Sequence, residues 1–381
     1  MKYSTKRIED VCIKVLSGGT PKSTNIEFYN PKEVPWLKTA EVNYCRIYDT
    51  ETYISKEGLA RSSAKLIPSD SVIIAMYGQG DTAGRVAINK IPLCTNQACC
   101  NLIINPESAD YEYVYYALSS LYSKIVSLKN GGAQPNLNAS IIKALEIPFP
   151  ELDIQKKIAS LLSHYDYLIE NNKRQVKLLE EAAQRLYKEW FVDLRFPGYE
   201  KVKIIDGVPE GWKKIPLSNI APILTGKKDA NYGQDNGKYL FFTCAQEPIR
   251  SHAYSFDCAA VILAGNGDFN VKLYRGKFEA YQRTYVFSPY NIQNLYLLYY
   301  AIRENMHQLI LGASGSTIKF LTKQMLEGIK VSIPNQEIMG RFFDYSEGYQ
   351  RKIENLKQQI WIAQEARDRL LPKLMSGEIT I

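Results

Sequence analysis

The stretch Gly78-Gln79-Gly80-Asp81-Thr82-Ala83 has the spacing with which dinucleotide-binding loops bring backbone N–H groups against a pyrophosphate. That chemistry needs a helix next, because the positive helix N-terminus completes the anion site. The next residues are instead Gly84-Arg85-Val86-Ala87-Ile88, whose composition predicts a strand, so the glycines read as a hairpin turn. Gly265-Asn266-Gly267-Asp268-Phe269-Asn270 repeats the turn without the third small residue. Gly18-Gly19-Thr20-Pro21-Lys22-Ser23 has the composition of a P-loop but lacks its Gly-Lys-Ser/Thr spacing. Carboxylates such as Glu41 and Asp268 sit in turn-like or surface sequence and define no acid–base pair.

Metal and nucleophile chemistry are equally hard to assemble. The three histidines, His164, His252 and His307, are far apart and join no cysteine at metal-ligand spacing. The seven cysteines form an odd set without a C-x-x-C pair, which predicts reduced thiols rather than a disulfide framework. Asn30-Pro31 and Asn105-Pro106 do not continue into the Asn-Pro-Pro-aromatic loop of amino-methyltransferases. The reading is therefore of a chain without a catalytic or metal site of its own. The N-terminus has no apolar segment resembling a signal peptide, and apolar runs such as Val72–Met76 are strand-sized, so a soluble, cytoplasmic protein is expected.

An internal repeat organises these residues. Shifting the chain by 184 positions lays Ile154 on Ile338, Tyr165 on Tyr349 and Ile169-Glu170-Asn171 on Ile353-Glu354-Asn355. In the same register Lys173, Gln175, Glu181, Ala182, Arg185 and Leu186 meet Lys357, Gln359, Glu365, Ala366, Arg369 and Leu370. Upstream, Tyr115–Leu118 meets Tyr299–Ile302, and Val15-Leu16-Ser17-Gly18 resembles Ile223-Leu224-Thr225-Gly226. The repeat divides the chain into four segments: a globular unit over 1–150, a helix over 151–195, a second globular unit over 196–334 and a second helix over 335–381. Residues 1–150 carry 16 Lys/Arg against 14 Asp/Glu, and 196–334 carry 16 against 11. Each helical segment is balanced, so the whole net charge of +7 lies on the globular units, as an anionic partner would favour.

Apolar or small residues recur in steps of three and four along both helical segments. They fall at Ile154, Ile158, Leu161, Tyr165, Leu168, Val176, Leu179, Ala183, Leu186 and Trp190 in the first. In the second they include Ile338, Phe342, Tyr345, Tyr349, Ile353, Leu356, Ile360, Ala363, Leu370 and Leu374. This predicts a coiled-coil seam between two antiparallel helices. Each globular unit mixes short β runs with helical stretches near 110–128 and 294–310, giving an α+β class with twisted sheets and a pseudo-twofold repeat.

Two α+β units alternating with two similar helices resemble the specificity (S) subunits of type I restriction–modification systems. The resemblance spans essentially the whole chain. It rests on the helical repeats, the Gly-x-Gly-Asp turns, the Gln97 and Gln282 segments, and the loops Gly131–Leu137 and Gly312–Leu321. It implies that each unit is a target recognition domain reading one half of a bipartite site on double-stranded DNA. The helices would set the spacing and dock two methyltransferase (M) subunits, and restriction/motor (R) subunits would join. No cofactor is expected on this chain; S-adenosylmethionine would lie on the methyltransferase, and ATP and Mg on the motor-nuclease. Base readout needs amides and cations presented from loops. Candidates in the first unit are Lys38, Tyr77, Gln79, Arg85, Asn96, Gln97, Gln134 and Asn136. Those in the second are Lys227, Lys228, Asn266, Asp268, Gln282, Arg283, Ser316 and Lys319. Tyr187, Trp190 and Phe191 are candidates for docking a partner, although closing the helical seam would use them equally well. A stand-alone DNA-modifying enzyme and a coiled-coil interaction scaffold are the competing readings.

Overall fold

The computed structural model describes residues 3–129, 136–315 and 319–381. It comprises two compact units, Met1–Asn171 with Gln359–Ile381, and Asn172–Gln358. Each long helix divides between them: Leu152–Tyr187 begins in the first and ends in the second, and Gln336–Ser376 does the reverse.

In the first unit, alternation along the strands builds two cores. Val72–Ala75 and Val86–Asn89 pair as the predicted hairpin, fully buried on both faces. Because successive side chains point to opposite faces, Val72, Ile74, Val86 and Ile88 meet one core while Ile73, Ala75 and Ala87 meet another. The first core also takes Tyr113, Val114 and Ala117 from the helix Tyr111–Ser120, with Ile158, Leu162 and Leu374 from the long helices. The five-stranded sheet runs Cys12–Ser17, Cys99–Ile104, Val72–Ala75, Val86–Asn89, Cys45–Ile47, with only the last pair parallel. A separate three-stranded sheet orders Tyr53–Ile54, Val34–Leu37 and Cys94–Thr95.

The second unit repeats this plan with one six-stranded sheet in place of the five- and three-stranded pair. Its six strands run Ile223–Thr225, Thr284–Phe287, Phe256–Ala264, Val271–Ala280, Tyr239–Phe242, Ile249–Ser251. The strand Val271–Ala280 does the work of both Val86–Asn89 and Cys94–Thr95, pairing with the hairpin partner and then, in parallel, with Tyr239–Phe242. Gly276, at φ +125°, supplies the unusual backbone geometry midway. The first unit has Lys90-Ile91-Pro92-Leu93 at that point, and a proline without an N–H cannot continue the ladder.

Within each unit the long-helix segments run antiparallel. In the first, Ile158 and Leu162 share a core with Leu374 and Met375, and Asp166 lies 2.6 Å from Arg367. In the second, Trp190 and Phe191 share a core with Ile338 and Phe342, and Glu180 lies 3.2 Å from Lys357. The seam differs from the purely apolar one expected. Leu161 and Leu168 face outward, and the buried line of the first helix passes through Leu162, Asp166 and Ile169. In the second helix Tyr345 is exposed and Ser346 is buried instead. A seam carrying a buried carboxylate cannot be found by counting apolar positions.

That carboxylate belongs to an ion cluster that ties sheet to helices. Arg46, with 1% of its side chain exposed, pairs with Glu112 (3.1 Å), Asp166 (3.4 Å) and Glu170 (3.3 Å), and lies over the Tyr167 ring. Asp166 accepts the Tyr116 hydroxyl at 2.5 Å. Burial alone would weaken the Arg46 charge, but Tyr116, Glu112 and Asp166 raise its pKa above the ordinary value. The second unit has a simpler version. Arg275 donates to Glu347 and to the Tyr296 hydroxyl, each at 2.6 Å, and Arg351 adds a bond to Glu347 at 2.8 Å. The Arg275 hydrogen bond, with those of Tyr296 and Arg351, lowers the Glu347 pKa to about 2 against the cost of burial.

Candidate nucleic-acid interface

Glycine makes the scaffold of both candidate surfaces. A Cβ on Gly18 would lie 2.0 Å from the Asn96 carbonyl oxygen, and one on Gly226 would lie 2.0 Å from that of Ala280. Only glycine permits this approach of backbone to backbone, and it sets the segment after the first sheet strand against the loop bearing Gln97 or Gln282. The loops are then pinned alike: Asn96 N–H donates to Leu37 at 2.9 Å, and Tyr281 N–H donates to Phe242 at 2.9 Å.

In the first unit these contacts gather several predicted residues. Lys38 follows Leu37, its ammonium 6.0 Å from the Trp36 ring, and the Trp36 indole is held by Gly19 at 3.0 Å. Gln97 is exposed and its amide oxygen accepts the Thr20 hydroxyl. Met76 N–H donates to Ala98, which brings half-buried Tyr77 alongside, and Leu137 N–H donates to Met76, which adds exposed Asn136. Gln79 is exposed on the hairpin turn, where Gly80 takes φ +61°. Asn96 is half-buried and accepts from the Cys99 thiol at 3.3 Å, while Arg85 is engaged by Asn43 (2.9 Å) and Asp81 (3.2 Å). Those two bonds give Arg85 a local structural partnership.

The second surface is contiguous through backbone bonds. Gln282 N–H donates to Lys228 at 2.9 Å, Gly265 N–H to Arg283 at 2.8 Å, and Leu321 N–H to Gly265 at 2.8 Å. Asn266 pairs with Phe320 in a β-bridge. Lys227, Asp268, Gln282, Arg283 and Lys319 are exposed, and Lys228 lies 4.4 Å over the Tyr232 ring. The Gln282 amide nitrogen donates to Asp229 at 2.6 Å. Gln134 and Ser316 lie outside the described residues. The sequence reading overlooked Phe320, an aromatic 43% exposed among these groups. Its signal was available, since the 184-residue shift lays it on Asn136.

The docking candidates need correction. Tyr187, Trp190 and Phe191 are 4–6% exposed and pack with Phe342, Tyr300 and Trp212 in the core of the second unit. Their rings close that core rather than face a partner. The exposed apolar residues of the long helices include Leu161, Leu168, Trp361 and Ile362. Among the described residues there is no group of His, Cys, Asp or Glu that could hold a metal ion, and no helix is long and apolar enough to cross a membrane.

Comparison with known proteins gives one consistent result. Residues 1–181 and 209–363 match the family described as Type I restriction modification DNA specificity domain. The specificity subunit of the type I restriction enzyme MjaIX from Methanocaldococcus jannaschii is 28% identical over all of this chain and 94% of its own length. That of EcoDI from Escherichia coli is 36% identical over 45% of this chain and 40% of its own length. The crystal structure of a type I S subunit from M. genitalium superposes with a TM-score of 0.67, covering 98% of this chain and 96% of that one at 17% identity, so the fold is shared. Two matched domains and a relative aligned from end to end lead to one conclusion: the chain belongs to the type I restriction modification DNA specificity family.

Proposed function

We propose that each unit reads one half of a bipartite DNA site, and that this chain supplies recognition, not catalysis, to a type I restriction–modification complex. The observation that carries this is the pair of matched surfaces, each built on a glycine–backbone approach and each exposing a glutamine, Gln97 on the loop bonded to Leu37 before exposed Lys38, and Gln282 bonded to Lys228 and followed by exposed Arg283. Amides and guanidinium groups discriminate base edges in the major groove, and neighbouring lysines hold phosphates. The two surfaces carry different side chains, so the half-sites differ. The long helices, about 54 and 62 Å at ~1.5 Å per residue, set the unread gap.

Methyltransferase subunits, two in this reading, dock on the long helices, with Leu161, Leu168, Trp361 and Ile362 as contacts in place of Tyr187, Trp190 and Phe191. The methyltransferase brings S-adenosylmethionine, and the motor-nuclease subunits bring ATP and Mg. Co-expression with the neighbouring methyltransferase gene, followed by methylome sequencing, tests the proposal. The expected result is one motif of two unlike half-sites around a fixed gap. A stable complex that methylates a single uninterrupted motif, or methyl transfer by the isolated chain, would overturn it.

A further inference from the structure

We propose that Phe320 and Gln282 together read an A·T base pair in the half-site of the second unit, Phe320 through apolar contact with the thymine 5-methyl group. This deepens the DNA-reading role proposed above and rests on it. Phe320 is 43% exposed, yet its backbone is firmly held. Its N–H donates to Ser314 at 2.8 Å, Ser314 N–H donates back at 3.1 Å, and Asn266 pairs on another side. The following residue is fixed as well, with the Leu321 carbonyl accepting the Tyr285 hydroxyl at 2.9 Å. The exposed ring is thus presented by paired backbone. It borders a cavity of about 360 Å³ lined also by Gly265, Gln282, Arg283, Tyr285 and Leu321.

Gln282 decides which base edge suits this cavity. Asp229 offers only acceptor oxygens, so one N–H of the Gln282 amide faces it, at 2.6 Å, leaving the carbonyl to accept and the second N–H to donate, the pair of groups that meets N6 and N7 of adenine. In the major groove an acceptor matches the exocyclic amine of adenine or cytosine, while guanine presents acceptors there. An apolar side chain matches the methyl group of thymine, the partner of adenine. Acceptor and ring in one cavity therefore select A·T. The first unit has no equivalent ring: the matching position is Asn136, placed by the Leu137–Met76 bond as Phe320 is placed by Leu321–Gly265.

Uracil differs from thymine only by the methyl group, which makes the test chemical rather than steric. The full chain, co-expressed with its methyltransferase, is titrated with duplexes in which each thymine of the methylome-defined site is replaced in turn by deoxyuridine. At one thymine, in one half-site, the wild type should lose about fourfold in affinity, corresponding to ~0.8 kcal/mol for one buried methyl. Phe320→Ala should bind thymine and uracil equally there, Phe320→Leu should keep part of the preference, and neither should shift the melting temperature. Replacing the paired adenine by purine, which lacks the exocyclic amine, should weaken the wild type but not Gln282→Ala. No uracil-sensitive thymine, or a sensitivity that survives in Phe320→Ala, overturns this contact while sequence-specific binding stands. Loss of salt-sensitive, sequence-specific binding in the wild type overturns the DNA-reading role itself.

Discussion

The two units place a glutamine at the same corner of the same sheet plan, but different partners hold the two side chains. Gln97 meets the Thr20 hydroxyl, a group that can donate or accept, so either end of its amide can be held there. Gln282 meets Asp229, which can only accept, so the amide nitrogen is held to that side. The same contrast runs through the scaffolds. The first unit splits its main strands into a five- and a three-stranded sheet at Pro92, and the second keeps them in one six-stranded sheet with Gly276 midway along the shared strand. Both units bring backbone against backbone, at Gly18 and Gly226. They differ in the side chains around that contact. A duplicated fold can thus diverge in the side chains of its surface without rebuilding its frame.

The ion clusters offer the sharpest way to break this comparison. Arg46→Ala would take an almost fully buried guanidinium away from Glu112, Asp166 and Glu170, leaving Asp166 with Arg367 and Tyr116. Removing one partner of a buried pair costs about 3–5 kcal/mol. Arg275, with 41% of its side chain exposed, should cost roughly 1 kcal/mol or less on replacement by alanine. Denaturant unfolding followed by hydrogen exchange, which assigns the loss to a unit, measures both. Equal losses would show that the second cluster is as consequential as the first.

A smaller effect separates the units in acid. Glu347 has a folded pKa of about 2 against an ordinary value of 4.5, so its contribution is present above pH ~4.5 and is lost as pH falls toward 2. Glu170 shifts the other way: burial raises its pKa despite Arg46, so its contribution grows as pH falls through that raised value. Exchange protection of the second unit should therefore fall over pH 4.5–2, and Glu347→Gln should flatten that fall. An unchanged slope in the variant would remove Glu347 from the account.

Much of the frame was legible because it depends on local pattern. The hairpin at Gly78–Asp81, the long helices and the repeat can all be read from spacing. The strand composition of Val86–Ile88 rules out the helix that a nucleotide loop needs, and Val86–Asn89 is a strand. The helix seam was misplaced by one residue around Leu161 and Leu168, because a buried Asp166 is stable only with Arg46, Tyr116 and Arg367, which are distant in sequence. Tyr187, Trp190 and Phe191 fit docking and seam closure equally well in sequence for a similar reason: Trp212, Tyr300 and Phe342, which cover them, come from elsewhere in the chain. The candidate surfaces were legible as residue types. The commitment of Arg85 to Asp81 and Asn43, and the exposure of Phe320, follow from tertiary contacts that residue type does not reveal.

The most direct test of independent reading is the methylome of hosts expressing the methyltransferase with the wild-type chain, Gln97→Ala or Arg283→Ala. Arg283→Ala should relax one half-site and leave the other half and the gap unchanged, and Gln97→Ala should relax the opposite half. If both variants degraded the same half-site, or either altered the gap, the assignment of one half-site to each unit would be contradicted.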